Sequence, residues 1–320
     1  MRNSLQRLFC LLILGIFTVV VAVACNSTEP DTITTAQKPE DCRIVQHSLG
    51  EACVPHNPQR VITLYLYTLT NSLALGIRPV ASTYVPGTSI AEYFEEKVDG
   101  IESVGSWSEP NLEKILKLNP DLILSLSRLE SIHQRLSYIA PTVALSLPFP
   151  PPSWKEQLEE LAQILNKEEV GQQLMDTYRQ RVEELKQALG DRRHTLKVSV
   201  AGISLEDGIW AYGETHFSGM VLNDIGLQRP PKQQGDIFYT ETISQEKIFD
   251  IDSDVLFLVS LGRNDDKKAL EKLRQNPLWR KLKVVQENKV YFVDAHWHSS
   301  DIFAINAILD DIEKYLIDSL

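Results

Sequence analysis

The chain has 320 residues, and its 32 basic and 43 acidic residues give a formal net charge of −11 at pH 7. A surplus of acidic side chains repels polyanions, which excludes nucleic acid as the expected partner. The length exceeds that of one typical domain and predicts two lobes of ordinary size.

The first 24 residues have the pattern of an export signal. Arg2 and Arg7 precede an apolar run over residues 8–23, and small residues lead into Cys25. This order resembles a bacterial lipoprotein signal, whose cleavage leaves Cys25 as a lipidated N-terminus. The alternative is a permanent transmembrane anchor, for which the apolar run is at the short end. We therefore expect a lipid-anchored protein in the periplasm or at the cell surface.

Residues 25–56 are predicted to form a tether followed by a small hairpin. Residues 26 to about 40 are polar and lack hydrophobic periodicity, as expected of a flexible tether. Cys42 and Cys53 follow, and an oxidising compartment favours a disulfide between them. The alternative is a metal pair, but the histidines nearby are not spaced as in any common zinc site.

Buried-strand patterns then alternate with helical ones, which predicts an α/β fold with parallel sheets. In a first lobe, residues 57–152, the strand-like runs are 61–66, 79–83, 121–127 and 142–147. In a second lobe, residues 191–320, they are 198–204, 209–212, 254–261 and 290–294.

A proline-rich segment, residues 148–152, marks the end of the first lobe, because such a run forms neither helix nor central strand. Residues 153–190 predict a helical connection with an interruption near Asn166. Its second part, residues 168–189, would span about 30 Å and bridge the lobes. A helical link of this kind predicts limited opening.

A seventeen-residue pattern occurs twice at a constant offset of 133, with residues 111–127 matching residues 244–260 and five positions identical. Each copy predicts a short helix, capped by Asn111 or Ser244, that runs into a buried strand. Two copies so far apart indicate two similar lobes rather than a solenoid. Two like lobes leave a cleft between them, which predicts ligand binding in that cleft.

Several short motifs occur in a recognisable order. They are Arg60-Val-Ile-Thr-Leu, Pro110-Asn-Leu-Glu-Lys-Ile, Asn119-Pro-Asp-Leu-Ile, Val221-Leu-Asn-Asp-Ile-Gly-Leu227, Asn276-Pro-Leu-Trp279 and Val290-Tyr-Phe-Val-Asp294. Each is weak alone, but together they resemble the periplasmic substrate-binding proteins of ABC importers, in the iron–siderophore and cobalamin class. The resemblance runs from about Cys42 to the C-terminus and is strongest to the iron–siderophore branch.

This resemblance implies two α/β lobes joined by a long backbone helix, with a ferric siderophore held in the cleft. It also implies a monomeric binding protein that delivers this ligand to the permease dimer of an ABC importer. A binding protein of this kind is not expected to be an enzyme. Iron would be bound only as its siderophore chelate, so neither a cofactor nor a metal ligand from the protein is expected.

Two arginines are candidates for binding the chelate. Ligands of open α/β sheets bind beyond the carboxyl ends of the strands. Arg128 follows the strand of the first repeat copy, and Arg263 follows that of the second. Guanidinium groups bind carboxylate or hydroxamate oxygens bidentately. Alternatively, either arginine is a solvated loop residue or pairs with a nearby acid.

Aromatic residues near strand ends are the second predicted component of the pocket, since rings supply rigid walls with a polar tip. They are Tyr65, Tyr67, Tyr84, Trp107, Trp210, Tyr212 and Trp297. Most aromatic residues belong to protein cores, and it is the loop location of the three tryptophans that favours the pocket.

His296 and His298 form a histidine pair after the last predicted strand. They could ligate a metal if a third ligand such as His216 joined them. Hydrogen bonding to chelator oxygens and a purely structural role are the alternatives.

Glu113 and Glu246 occupy the same position in the two repeat copies. In the family that the chain resembles, a glutamate on each lobe pairs with arginines of the two permease subunits, and the family motifs match at these positions. Two-fold placement suits a two-fold partner. Compensation of the helix dipole, about 0.3–1 kcal/mol each, is the alternative, and both roles can hold together.

Enzyme motifs are absent from the sequence, which has no G-x-S-x-G elbow, phosphate loop or dinucleotide fingerprint. The alternative within the same class is a cobalamin or haem carrier. The alternative from a different class is a zinc-dependent hydrolase that uses His296 and His298.

Overall fold

The computed structural model describes residues 42–84, 95–261 and 266–318. The predicted signal peptide, the predicted lipidation site Cys25 and the tether lie outside the described residues, and so does Arg263. Within the three described ranges, no helix is both long and apolar enough to cross a membrane.

The described structure begins with an antiparallel hairpin of β1 (Cys42–His47) and β2 (Gly50–Pro55). A disulfide joins Cys42 to Cys53, whose Cα atoms are 5.5 Å apart. The predicted disulfide hairpin is therefore confirmed. At the hairpin turn, the backbone amide of Ser48 donates a hydrogen bond of 3.1 Å to the neighbouring sheet, which fixes the hairpin against it.

The N-terminal lobe is built on a five-stranded parallel sheet in the order β5-β4-β3-β6-β7. Its strands are β3 (Val61–Thr63), β4 (Ala81–Ser82), β5 (Glu102–Ser103), β6 (Leu122–Leu126) and β7 (Thr142–Leu145). Its helices are α1 (Leu66–Ala74), α2 (Leu112–Lys117) and α3 (Glu130–Ser137). Strands β3, β6 and β7 are buried throughout, as in a sheet covered on both faces. The four predicted strands are present but two or three residues shorter, and β5 was not predicted.

Two consecutive helices, α4 (Trp154–Leu165) and α5 (Glu168–Leu189), connect the two lobes. Ser153 begins α4 with a capping box, and Asn166 ends it at a φ of 56°. This left-handed conformation is one that asparagine adopts more readily than most residues. The predicted interruption and the predicted second helix are both confirmed. With 22 residues, α5 is about 33 Å long.

The C-terminal lobe is built on a four-stranded sheet in the order β11-β10-β8-β9, in which only β9 runs antiparallel to its neighbour. Its strands are β8 (Val198–Ser204), β9 (Gly208–Ala211), β10 (Val255–Ser260) and β11 (Val290–Val293). Its helices are α6 (Phe217–Ile225), α7 (Asp266–Gln275), α8 (Lys283–Gln286) and α9 (Ile302–Leu316). All four strands predicted for this lobe are confirmed.

The two copies of the repeat lie in different sheets. The first copy forms α2 and β6, and the second forms a 3-10 helix, Gln245–Ile251, followed by β10. Matched aspartates fix the starts of both strands: Asp121 accepts the amide of Arg60 at 2.9 Å, and Asp254 accepts that of Lys197 at 2.9 Å. The predicted helix–strand units in separate lobes are confirmed, although the second helix is 3-10 rather than α.

One continuous apolar core runs from the N-terminal sheet through the linking helices into the C-terminal sheet. It includes Leu124 of β6, Trp154 of α4, Leu185 of α5 and Val200 of β8. Trp154 has no exposed surface, and its ring centroid lies 4.7 Å from that of Tyr178 in α5. The core of each lobe therefore depends on the helices that join them.

Replacing Trp154 with alanine should lower the free energy of unfolding by roughly 3–5 kcal/mol, because a large buried ring leaves a cavity. Trp107→Ala is the matched control, since Trp107 is 51% exposed, and it should cost less than about 1 kcal/mol. Urea unfolding followed by circular dichroism measures both. Equal losses in the two variants would contradict the central position given to Trp154.

Candidate functional site: a cleft between the lobes

A cleft of about 430 Å³ lies between the two lobes, within the range usual for small-molecule sites. Its N-terminal wall comes from segments directly after β3, β6 and β7. Its C-terminal wall comes from the start of α6, from residues 238–239 and from residues 298–301 beyond β11. Most of this site therefore lies beyond the carboxyl ends of strands, as predicted for open α/β sheets.

Arg128 is the one permanently charged cation among the described residues that line the cleft. It follows β6 directly, in a short 3-10 turn, and is exposed. Its Cζ atom lies 4.9 Å from the ring centroid of Tyr65 and 4.9 Å from that of Trp107. Cation–π contacts hold the guanidinium in place and leave N–H donors for a ligand. The structure thus brings three predicted site residues together.

The opposite wall is aromatic. The rings of Phe238 and Tyr239 are 4.6 Å apart, and Phe217 lies 5.4 Å from Phe238. Phe149, which follows β7 in the N-terminal wall, is 76% exposed and reaches across to these rings, at 5.7 Å from that of Phe238 and 6.3 Å from that of Tyr239. Apolar faces of this kind suit a bulky ligand with conjugated or alkyl parts. The sequence prediction missed all four residues.

A reason for this omission lies in the local sequence. Phe149 belongs to the proline-rich segment that was interpreted only as a lobe boundary, and residues 238–239 lie in a stretch without helical or strand periodicity. The sequence feature that points to these four residues is the local density of aromatic side chains. Tyr67, which was named among the aromatic candidates, does line the cleft.

Polar side chains lie behind this aromatic wall. The hydroxyl of Tyr212 is 3.2 Å from Nδ1 of His298, which itself lines the cleft. His298 stacks on Tyr239 at 6.0 Å. His216 is fully buried against the Tyr212 ring, and its Nδ1 caps α6 by accepting the amide of Ser218 at 3.2 Å. Tyr212 was predicted to face the ligand, but it is fully buried and instead supports His298 from behind.

The charge states behind the wall follow from burial. Burial, reinforced by His298 and Arg229, lowers the pKa of His216 well below its ordinary 6.5. Burial also lowers the pKa of Arg229 to about 9, an effect that the carboxylate of Glu214 opposes. Arg229 donates a hydrogen bond of 2.5 Å to the backbone carbonyl of Tyr212. At neutral pH, therefore, His216 is neutral and Arg229 is a buried cation that fixes the backbone beside the site.

Gln157 of α4 fixes the floor of the cleft. Its side-chain amide donates to the carbonyl of Pro152 at 2.8 Å, and its oxygen accepts from the hydroxyl of Ser300 at 2.8 Å. Asp301 begins α9 by accepting the amide of Ala304 at 3.1 Å. A linking helix, the proline-rich segment and the loop after β11 are thereby joined at one point.

Trp297 and His296 were predicted at the pocket, but the structure places both in the interior of the C-terminal lobe. Trp297 has no exposed surface, stacks on Phe257 at 4.3 Å and donates to Asp311 at 2.8 Å. Nε2 of His296 lies 2.8 Å from the same carboxylate. Successive residues of a 3-10 turn point about 120° apart, so only His298 of this turn reaches the cleft.

Two further aromatic predictions are also corrected. Trp210 in β9 lies across Gly202 of β8, where an added Cβ would come within 2.3 Å of the indole ring. The hydroxyl of Tyr84 donates to the carbonyl of Ile101 at 2.9 Å. Neither Trp210 nor Tyr84 is among the described residues that line the cleft.

The histidines do not assemble a metal site. In the part of the chain that the structure describes, no three His, Cys, Asp or Glu side chains converge as metal ligands. His216 and His298 have ring centroids 5.9 Å apart, whereas His296 faces Asp311. The metal-ligand set that the sequence allowed is therefore not formed in these ranges.

Glu113 and Glu246 are both exposed, each in the first turn of its helix. Glu113 lies in α2 and Glu246 in the 3-10 helix of the second repeat copy. Neither lines the cleft. Their positions are compatible with both predicted roles, docking and compensation of the helix dipole.

Comparison with known proteins defines the class. A family model described as periplasmic binding protein matches residues 70–296, well over half of the chain. The chain belongs to this family. The two-lobe α/β class and the resemblance predicted from the sequence are thereby confirmed.

Individual relatives share this architecture along nearly their whole length. The chain is 34% identical to "Probable siderophore-binding lipoprotein YfiY" of Bacillus subtilis, with 99% of each chain covered. It is 26% identical to Staphylococcus aureus SirA complexed with staphyloferrin B, at a TM-score of 0.72, covering 86% of this chain and 98% of SirA. It is equally identical, 26%, to the triscatecholate siderophore binding protein FeuA of Bacillus subtilis complexed with ferri-bacillibactin, at a TM-score of 0.69 and the same coverage. YfiY and FeuA are named as siderophore-binding proteins, and SirA was solved with staphyloferrin B bound.

The buried His216 predicts a pH dependence of stability. Between its lowered folded pKa and the unfolded value near 6.5, the unfolded chain binds more protons, so stability should fall as the pH drops through this window. The slope is at most about 1.4 kcal/mol per pH unit. His216→Asn keeps a capping acceptor without a titrating ring and should flatten the slope measured by urea unfolding.

The matched control is His56→Asn, because His56 is exposed. This variant should keep the wild-type slope below pH 6.5. Only slopes are compared, since the smaller asparagine at position 216 lowers stability at every pH. An unchanged slope in His216→Asn would show that another group causes the acid sensitivity.

Proposed function

We propose that this chain captures a ferric siderophore in the interlobe cleft and delivers it to an ABC importer. The observation that carries the proposal is the guanidinium of Arg128, held by two rings and facing an aromatic wall, in a chain of the periplasmic binding protein family. The relatives named above are described as siderophore-binding, or were solved with siderophores bound.

The chemistry of the cleft fits a chelate rather than free iron. Exposed chelator oxygens carry negative charge, and a planar guanidinium binds such oxygens through two parallel hydrogen bonds. His298 adds a polar contact on the opposite side. The chelator saturates the iron, so the protein supplies no metal ligand. The aromatic faces cover the apolar parts of the ligand.

Delivery and location complete the proposal. Cleavage before Cys25 and lipidation of that residue would hold the chain at the outer face of the membrane that contains the importer. The polar tether would let the folded part reach the permease. The fold supports capture and release of a ligand, and we propose no catalytic step.

The first test measures the ligand. Arg128→Ala should weaken binding of the ferric chelate at least about tenfold, the loss expected when a charge-assisted contact of about 1.5 kcal/mol disappears. Quenching of tryptophan fluorescence by ferric staphyloferrin B, ferri-bacillibactin, cobalamin and haem gives the dissociation constants. Arg128→Lys should bind better than Arg128→Ala, yet less tightly than wild type, because it keeps the charge without the bidentate geometry.

Arg135→Ala is the matched control, because Arg135 is exposed on α3 and does not line the cleft. It should bind like wild type. Wild-type affinity in Arg128→Ala would remove that residue from the site. Tight binding of cobalamin or haem, with no ferric siderophore bound, would replace the proposed ligand class.

The second test concerns delivery. Glu113→Ala/Glu246→Ala should bind the ferric chelate normally and fail to support its uptake, because each lobe loses the anion that pairs with a cation of the permease. Initial rates of uptake are measured with radioactive iron in cells of the source organism, in which the variant replaces the wild-type protein. Single variants should be partly active and should lose more activity as salt is raised.

The control removes two other exposed acids that also lie in first helical turns, Glu130→Ala/Glu169→Ala. Helix-dipole compensation predicts similar small effects in both double variants, whereas docking predicts a defect in the repeat variant alone. Loss of chelate affinity in Glu113→Ala/Glu246→Ala would mean that these acids maintain the fold or the cleft.

A further inference from the structure

Each copy of the repeat exposes one large apolar side chain, and both times it is the sixth residue. Leu116 is 60% exposed in the first copy, and Phe249 is 46% exposed in the second. Isolated exposed apolar residues are ordinary in soluble proteins. The match between two copies that lie in different sheets is what requires an explanation.

Each apolar side chain lies on the same helical face as a glutamate. Leu116 is three residues after Glu113 in α2, and Phe249 is three residues after Glu246 in the 3-10 helix. Residues at this spacing are neighbours on an α-helix and eclipse each other on a 3-10 helix. Ile115 and Ile248, next to the two apolar residues, are buried and fix both helices against their lobes. The two pairs therefore point outward in the same way.

The segment that leads into each of the two helices contacts its own lobe. The loop that leads from β5 to α2 contains Trp107, which contacts Arg128 of the cleft. In the second lobe, the amide of Ile243 donates at 2.7 Å to the carbonyl of Ile209 in β9, just before the 3-10 helix begins. In the first lobe, a partner seated on the pair would therefore lie next to the helix that follows the Trp107 loop.

The neighbouring Lys114 does not pair with Glu113, the acid of the first pair. Lys114, beside Glu113, turns away to donate to the carbonyl of Ser103 at 2.7 Å, and its Nζ lies 3.4 Å from Glu102. Two other lysines, Lys117 four residues after Glu113 and Lys247 directly after Glu246, are exposed. Each pair consequently offers an acid beside an apolar side chain to a partner with a cation beside an apolar groove.

We propose that Leu116 and Phe249 are the apolar anchors of two like docking patches, defined as Glu113 with Leu116 and Glu246 with Phe249. The occupant is a membrane protein of two like subunits, each offering a cation and an apolar groove. This inference rests on the proposed function, in which that occupant is the importer permease pair. Two matched patches on one chain fit a two-fold partner.

Acid and apolar side chains contribute differently to such an interface. Exposed acids steer association and set orientation, and their contribution weakens with salt. Apolar anchors that become desolvated contribute most of the binding energy at many interfaces, and salt screening does not weaken them. The two kinds of residue in each patch can therefore be separated by experiment.

The test replaces both anchors, as Leu116→Ser/Phe249→Ser, in the full chain expressed in cells of the source organism. Chelate binding, measured by fluorescence quenching, should be unchanged, because neither residue lines the cleft. Uptake of the radioactive ferric chelate should fall about tenfold. The exchange variant Leu116→Phe/Phe249→Leu should retain most of the uptake, since both anchors stay apolar.

The matched control is Tyr138→Ser/Phe292→Ser, which removes an exposed ring from each lobe outside the patches, at 81% and 41% exposure. It should transport like wild type. The dependence of uptake on sodium chloride concentration is the second readout, and sucrose at the same osmolarity is the control. The residual uptake of the anchor variant should remain sensitive to sodium chloride, because both acids are still present.

Undiminished uptake in Leu116→Ser/Phe249→Ser would overturn the proposal, and so would an equal loss in the Tyr138→Ser/Phe292→Ser control. If no ferric siderophore binds the wild-type chain, the proposed function fails at the titration, before docking is measured. If the chelate binds and only the anchor variant transports normally, the proposed function stands and the anchors alone are refuted.

Discussion

The structure depends on one contact, the packing of Trp154 in the first linking helix against Tyr178 in the second. The hydroxyl of Tyr178 donates to Asp224 of α6 at 2.6 Å, and Lys155 pairs with the same carboxylate at 2.6 Å. Burial raises the pKa of Tyr178, which therefore stays a hydrogen-bond donor. Both linking helices and a helix of the C-terminal lobe therefore meet at this point.

The cleft places charge on one side and apolar surface on the other. Arg128 is held by two aromatic rings, and the facing wall offers rings backed by the neutral, buried His216. The Arg128 cation orients an anionic ligand, whereas the rings accept many shapes because they impose no hydrogen-bond geometry. The arrangement thus suits a class of bulky chelates that differ in their organic part.

Pseudo-symmetry connects the cleft to the outer surface. The repeat places the same aspartate at the start of a strand in each lobe, and it places an acid and an apolar side chain outward from each short helix. Packing in the core accounts for the similarity of the two copies at their buried positions. Packing does not account for the similarity at exposed positions, because solvent-facing residues are free to diverge unless a partner contacts them.

The sequence by itself determined most local elements: the disulfide hairpin, the strands of both sheets except β5, the break at Asn166 and the long second linking helix. These follow from periodicity, caps and turn residues, which act over a few neighbouring positions. It also placed Arg128 and Tyr65 at strand ends that border the cleft, because strand ends can be read from the hydrophobic pattern. Only the tertiary structure decided which side of a turn faces the cleft. Trp297 and His298 are adjacent, yet one is core and the other is wall. Phe149 and Phe238, far apart in sequence, meet across the lobes. Side-chain direction within a turn and contact between distant segments depend on how the lobes pack, and no local pattern encodes that packing.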